Sequence, residues 1–144
     1  AYNLHHRFGR GPLWWLLITS GFRTYRLLPV FWRNFFPRWD AEAPPDIRER
    51  LSTFARGRIG PCFDPRSGIV RFEHPQRLRE HLHGVPSHRL RNRHVAFFAQ
   101  RNPGHLDGDE LVCLTRLEDA NLTSAGRRIV SSSRREPVLS ELAP

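Results

Sequence analysis

Residues 109–117, DELVCLTRL, carry the clearest strand signal in the second half of the chain. Turn residues precede this apolar run at 102–104 (NPG), and the polar residues 119–121 (DAN) follow it, which is the pattern of a buried strand. Upstream, residues 62–73 (CFDPRSGIVRFE) predict a β-hairpin, because proline and glycine supply turn dihedrals between two strand-like runs. The chain is therefore expected to contain a β-sheet.

Helical patterns alternate with these strands. Residues 44–60 place apolar side chains at helical spacing, and residues 87–104 predict a second helix, with Ser87 as its N-terminal cap. The mixture predicts an α/β or α+β fold. We expect a single mixed domain over residues 1–130 and a mobile tail over residues 131–144.

The charge of the chain is strongly positive. Of its 144 residues, 23 are basic and 14 are acidic, which gives a formal net charge of +9, and all the basic residues are arginine. Arginine presents a planar fork of donors to phosphates and carboxylates and stacks on aromatic rings. The excess fits an anionic partner, and it fits equally a coding bias that enriches arginine, alanine, glycine and proline together.

The first residue is Ala1, and the chain has no methionine, so we expect it to be a fragment of a longer chain. Its longest apolar run, PLWWLLI at residues 12–18, is far shorter than a bilayer-spanning helix. Cys62 and Cys113 lie in strand-like surroundings and form no metal-ligand spacing. Two free buried thiols in a reducing compartment are expected, and hence a cytoplasmic location.

Residues 7–11, RFGRG, combine two arginines with two glycines just before the most apolar stretch of the chain. Pro12 fits the first position of a helix, and the apolar residues that follow it allow one. A loop that opens a helix binds anions, because free backbone N–H groups and the helix dipole point at the ligand. A plain structural turn explains the same residues, and both interpretations remain open.

The motif HRFGRG, residues 6–11, resembles the pyrophosphate loop of the GCN5-related N-acyltransferases. In that family the loop follows a central strand, opens a helix and holds the pyrophosphate of acyl-CoA. The resemblance implies an acyl-CoA-binding transferase module. Its cofactor-binding residues would be Arg7, Phe8, Gly9, Arg10 and Gly11.

Residues 14–39 form a segment, here called the aromatic–arginine segment, that contains all four tryptophans, with arginines interleaved. This composition is typical of a surface that binds anionic partners. The alternative function is therefore a non-enzymatic accessory subunit that docks this segment on a larger protein assembly or an anionic surface. A membrane surface and, less strongly, nucleic acid are further possible partners.

A simple core role explains the aromatic–arginine segment as well. We expect Trp14, Leu17 and Phe22 to be interior and residues 32–39 to be exposed or covered by a partner. No catalytic residue is assigned; Tyr25 and His105 are the candidates, the latter in a polar loop with Asp107, Asp109 and Glu110. The histidines are scattered, so no metal site is predicted.

Overall fold

The computed structural model describes residues 11–75, 77–79, 82 and 84–133, and its sheet is built around strand β5 (Glu110–Arg116). Strand β1 (Trp14–Thr19) pairs antiparallel along one edge of β5. The other edge pairs with β2 (Phe35–Phe36) and β4 (Ile69–Val70), and β3 (Phe63–Asp64) pairs with β4. The predicted strand at 109–117 and the predicted hairpin are both confirmed.

Helices cover both faces of this sheet. One face carries α1 (Phe22–Tyr25), α2 (Leu27–Phe31) and α4 (Arg93–Arg101), whereas α3 (Pro45–Ile59) packs on the other. Helix α5 (Ser124–Ser133) packs against α2. Because the strand pairs within the described residues are antiparallel, the fold is α+β, a mixed single domain.

The larger core, here called the aromatic cluster, lies between the sheet and the α1, α2 and α4 helices. Its buried members are Phe22, Tyr25, Leu28, Phe35, Ile69, Val95, Phe98, Leu111 and Cys113. Tyr25 is at its centre, with its ring centroid 6.0 Å from that of Phe35 and 5.6 Å from that of Phe98. Such inclined aromatic pairs stabilise the fold by more than the burial of their apolar surface alone provides.

The smaller core, here called the α3 cluster, lies on the opposite face of the sheet. Ala55, Phe63, Val70 and Val112 are its buried members. Ala55 has no exposed surface, so the small side chain lets α3 approach the sheet closely. The predicted helix at 44–60 is confirmed by α3.

The helix predicted to begin at Pro12 is wrong, since β1 occupies that position. Along β1, alternate residues turn to opposite faces, so Leu17 packs on the aromatic cluster and Leu16 on the α3 cluster. A strand that contacts helices on both faces shows no alternation of apolar and polar residues in its sequence. Its apolar run therefore resembles that of a buried helix.

Two boundaries also differ from the sequence prediction. The cap of α4 is Asn92, whose side-chain oxygen accepts hydrogen bonds from the backbone N–H groups of His94 (3.0 Å) and Val95 (3.3 Å), whereas Ser87 begins a 3₁₀ turn, Ser87–Arg91. Helix α5 extends to Ser133, past the predicted start of the tail. Residues 134–144 lie outside the described residues, so the mobile tail stays a prediction. In the part of the chain that is described, no helix is long and apolar enough to cross a membrane.

Candidate functional site

A groove of about 520 Å³ runs between α1 and the 3₁₀ turn Ser87–Arg91. Three arginines line it, Arg23, Arg26 and Arg89, together with His88 and the hydroxyl-bearing Thr24. Its apolar lining comes from Phe22, Leu27 and Pro86. The lining thus combines hydrogen-bond donors with apolar surface.

Among the residues that the structure describes, no carboxylate forms an ion pair with the arginines of this groove. The ion pairs of the described residues involve Arg38, Arg71, Arg77 and Arg116, and none of these lines the groove. The described lining residues include no Asp or Glu either. The guanidinium of Arg23 does lie 5.7 Å from the ring centroid of Phe22, a contact that leaves its charge unneutralised. Three uncompensated guanidinium groups create a local positive potential that attracts anions.

The short helix α1 explains how the arginines reach the groove. Phe22 and Tyr25 are three residues apart, so both lie on the helix face that enters the aromatic cluster. Arg23 and Thr24 lie on the other side and are exposed. Gly21 precedes the helix at a crowded point, because a Cβ atom there would lie 2.8 Å from the side chain of Leu78. Burial of the aromatic pair therefore directs the arginine outward.

The tryptophans of the aromatic–arginine segment are divided between core and surface. Trp14 and Trp32 are partly buried, the former beneath the guanidinium of Arg50 at 5.1 Å. Trp15 and Trp39 are exposed, at 42% and 40% of their surface. Two of the four tryptophans are thus exposed, and the other two are held mostly in packing contacts.

The interior residues follow the prediction only in part. Phe22 is buried as predicted, whereas Trp14 and Leu17 are intermediate in exposure. The expectation that residues 32–39 are exposed is wrong for Phe35, which is 1% exposed and belongs to the aromatic cluster. Phe35 is buried because β2 pairs with β5, a contact between segments far apart in sequence.

Hydrogen bonds fix the end of this segment against the core. The Tyr25 hydroxyl donates to the carbonyl oxygen of Pro37 at 2.9 Å, and Arg38 donates to the carbonyl oxygen of Arg33 at 2.7 Å. Arg38 also forms two hydrogen bonds to Asp40, and these hold the pKa of that carboxyl below its usual value. The charge of Arg38 is therefore already neutralised, unlike that of the groove arginines.

Trp39 lies on the surface between side chains of α4. The guanidinium of Arg93 is 4.8 Å from its ring centroid, and the His94 ring meets it edge-on at 6.2 Å. Burial lowers the pKa of His94 below that of a free histidine. The arrangement positions an exposed indole and a cation side by side.

Tyr25, the first catalytic candidate, is a core residue. It has no exposed surface, and its hydroxyl is committed to the Pro37 carbonyl. Burial raises its pKa well above the usual tyrosine value, so the phenol stays protonated at neutral pH. The arrangement gives it a packing role.

His105, the second catalytic candidate, is 8% exposed and packs edge-on against Phe98. Its Nδ1 atom lies 2.8 Å from the carbonyl oxygen of Asn102, so Nδ1 carries the proton and donates it. The nearby carboxylates pair with arginines instead of His105: Asp109 pairs with Arg71, and Asp107 lies 4.0 Å from Arg77. Among the described residues, the predicted pairing of histidine with a carboxylate is not formed.

The predicted anion loop falls mostly outside the described residues. Arg7, Phe8, Gly9 and Arg10 are not among them, and Gly11 is an exposed bend. The chain then leads into β1 rather than into a helix. The acyl-CoA site at these residues stays a prediction.

Cys62 and Cys113 are both free. Cys113 is a member of the aromatic cluster, whereas Cys62 packs on the α3 cluster, so the sheet separates them. Burial raises the pKa of Cys113 to about 12. Within the described ranges, no group of three or more potential metal ligands comes together.

No family model matches the sequence, and no curated protein or solved structure matches it either. Function is therefore inferred from the groove and from the exposed part of the aromatic–arginine segment.

Proposed function

We propose that this chain is a non-enzymatic interaction module, an accessory subunit that binds an anionic partner surface through its aromatic–arginine segment. One observation carries the proposal. Arg23 and Arg26 of this segment line a groove whose described lining contains no carboxylate, whereas Arg38 of the same segment is paired with Asp40. An unpaired cluster of cations beside apolar side chains is a surface that a partner can complement.

The state of the catalytic candidates supports binding rather than turnover. Tyr25 and His105 are both buried and hydrogen-bonded to backbone carbonyls, so neither reaches a substrate in the groove. A general acid or base must come within hydrogen-bond distance of the reacting group.

Transfer of an acyl group from acyl-CoA is the less favoured proposal. A pyrophosphate cradle at residues 7–11 relies on the N-terminal end of a helix directly behind the loop. Because β1 begins at Trp14, the segment after Gly11 does not supply that dipole. The groove arginines need no such helix.

Binding of heparin, a soluble polyanion, to charge-matched variants tests the proposal. Arg23→Gln combined with Arg26→Gln removes two groove charges, and Arg56→Gln combined with Arg58→Gln removes two exposed charges from α3 on the opposite face. We expect the groove variant to bind about tenfold more weakly at moderate salt and the α3 variant to remain within about twofold of the wild type.

Equal losses in both variants would mean that heparin responds to net charge alone and would contradict the proposal. Binding of the wild type that does not weaken with rising salt would contradict it as well, because ions screen exposed arginines. Vesicles containing phosphatidylserine serve as a second probe. Tighter binding to them than to heparin would identify a membrane surface as the partner instead of a protein.

A further inference from the structure

We infer that the groove between α1 and the 3₁₀ turn Ser87–Arg91 is a binding site for a phosphate ester whose carbon part is apolar or planar. The inference rests on the proposed function and names the chemical group that the groove receives. It follows from the charge, the donor inventory, the apolar lining and the size of the groove.

The charge of the groove matches phosphate better than carboxylate. Arg23, Arg26 and Arg89 bring three formal positive charges, and the lining residues that the structure describes include no acidic side chain. A carboxylate carries one negative charge and two oxygens, so it leaves most of this charge unmatched. A phosphate monoester carries close to two negative charges at neutral pH and three terminal oxygens, and arginine forks bind such oxygens in pairs.

The polar side chains of the lining are those that donate hydrogen bonds to an anion. Guanidinium groups have donors and no acceptor, and the Thr24 hydroxyl and the imidazole of His88 each donate one hydrogen bond. A ligand that presents acceptors on every side satisfies this set. A cationic or amide-rich ligand does not, because it finds no side-chain carboxylate in the lining.

The apolar part of the lining explains why the ligand has a carbon part. Leu27 is 47% exposed, and Pro86 is exposed beside it. Phe22 is only 3% exposed and belongs to the aromatic cluster, so Leu27 and Pro86 supply the apolar surface that a ligand can cover. Inorganic phosphate leaves this surface in contact with water, whereas an ester with a ring or an alkyl group covers it. A groove of about 520 Å³ accommodates a molecule of that size.

The three arginine groups share one groove and, among the described residues, have no carboxylate as an ion-pair partner, so their positive charges repel one another. A bound dianion removes this repulsion and stabilises the folded chain by mass action. Ligand binding is therefore expected to raise the melting temperature of the chain and to shift the NMR signals of the backbone amides that line the groove.

Phenyl phosphate is the probe, because it is a small molecule with both a phosphate ester and a planar apolar group. We expect titration into the ¹⁵N-labelled chain to shift backbone amides of residues 22–27 and 87–89. Benzoate has the same ring with a carboxylate and is expected to bind at least about tenfold more weakly, since it forms fewer charge-assisted hydrogen bonds. Inorganic phosphate is expected to bind more weakly than phenyl phosphate because it does not cover the apolar lining.

Matched variants distinguish an effect of the groove arginines from an effect of net charge. Arg23→Gln with Arg89→Gln removes two exposed groove arginines, and we expect it to weaken phenyl phosphate binding by about tenfold to a hundredfold. The control, Arg56→Gln with Arg58→Gln, is expected to leave it unchanged. Arg23→Lys with Arg89→Lys keeps the charge and loses the fork, so an intermediate affinity is expected. Melting temperatures of the unliganded variants show that each is folded.

Three results would overturn the inference: no shifts at the groove amides with millimolar phenyl phosphate, equal affinity for benzoate, or an equal loss in the control variant. Heparin binding that depends on the groove arginines, together with no binding of phenyl phosphate, would refute the phosphate ester and leave the proposed function standing. A comparison of the affinities for ADP and for a phosphotyrosine peptide then identifies the source of the ester. Tighter binding of ADP indicates a free nucleotide, and tighter binding of the peptide indicates a modified partner protein.

Discussion

The two faces of the sheet differ in how much they bury and in what else they carry. The aromatic cluster includes Phe22, Tyr25, Phe35 and Phe98, whereas the α3 cluster has Phe63 as its one aromatic member within the described residues. The face with the larger core also holds the groove, because α1 contributes to both. The face under α3 has a small core and an exposed surface with Arg56 and Arg58.

This difference indicates that stability and binding depend on the same short helix. Phe22 belongs to the aromatic cluster and also lines the groove, and Arg23 directly follows it. Buried rings thus hold the α1 side of the groove in place, whereas the 3₁₀ turn Ser87–Arg91 on the other side contributes exposed residues. Changes in the aromatic cluster should disturb both stability and binding, and changes in the α3 cluster should affect stability alone.

The largest expected effect is that of Phe98→Ala compared with Val112→Ala. Both side chains have no exposed surface, but Phe98 contacts Tyr25 and His105 in the aromatic cluster, whereas Val112 belongs to the α3 cluster. We expect Phe98→Ala to lower the free energy of unfolding by about 3–5 kcal/mol and Val112→Ala by about 2 kcal/mol. Urea denaturation followed by circular dichroism measures both.

Equal losses in the two variants would contradict the difference between the two clusters. Binding of heparin, measured at a temperature where both variants are folded, tests whether the aromatic cluster also supports the groove. We expect weaker binding for Phe98→Ala and unchanged binding for Val112→Ala.

The second effect concerns a buried polar network at the end of β2 and β5. The Asn121 side chain accepts a hydrogen bond from the Asn34 N–H at 2.7 Å. It donates to the Asn34 carbonyl at 3.0 Å, the Thr115 hydroxyl at 3.0 Å and the Arg116 carbonyl at 2.8 Å. Asn121→Ala removes these four hydrogen bonds and leaves the Asn34 N–H without its partner, whereas the Thr115 hydroxyl still donates to the Asn34 carbonyl, so we expect a loss of about 2 kcal/mol in unfolding free energy.

Asn92→Ala is the control for this variant. It removes the cap at the start of α4, which lies at an exposed position, and we expect a loss of about 1 kcal/mol. A smaller loss for Asn121→Ala than for Asn92→Ala would mean that the network does not hold β2 against β5.

The smallest effect is the pH dependence that Cys113 confers. Its pKa of about 12 in the fold lies above that of an unfolded cysteine, so the fold favours the neutral thiol. The resulting stability is fully present below the unfolded pKa and is lost as pH rises from about 9 towards 12. At pH 10 the loss should reach about 1 kcal/mol, and it should be smaller in Cys113→Ala.

Denaturant unfolding at pH 7, 9 and 10 measures this difference. Tyr25 adds a decline of the same sign in both proteins, because its pKa is raised as well, so the contrast isolates Cys113. Cys62→Ala is the matched control on the other face and should keep the wild-type pH dependence. A steeper decline in Cys113→Ala would contradict the assignment.

Several elements were predictable from local patterns. Helix α3 and the hairpin of β3 and β4 are encoded by helical spacing and by turn residues, and Gly68 adopts the positive φ of 74° that its position in the turn requires. The aromatic–arginine segment was recognisable from composition, and Arg23 and Arg26 lie within it. Strand β1 was mistaken for a helix because its partner lies almost a hundred residues away.

The groove could not be predicted, since Arg89 comes from a segment that no sequence pattern joins to α1. The buried states of Tyr25 and His105 were equally hidden. Both have the chemistry of catalytic groups, and only the packing around them removes that role. The burial of Tyr25 did have a signal in the sequence, because the spacing of Phe22 and Tyr25 fits one turn of helix with both rings facing inward.

The positive charge, the mixed class of the fold, helix α3 and the β3–β4 hairpin all follow from the sequence alone, because they depend on composition and on local periodicity. Contacts in the folded chain make residues 14–19 a strand, bury Phe35 and place three arginines in one groove whose described lining has no carboxylate. Those outcomes depend on contacts between segments that are distant in sequence. The free energy of these contacts exceeds the local secondary-structure preference of each segment, so a short stretch of sequence does not predict them.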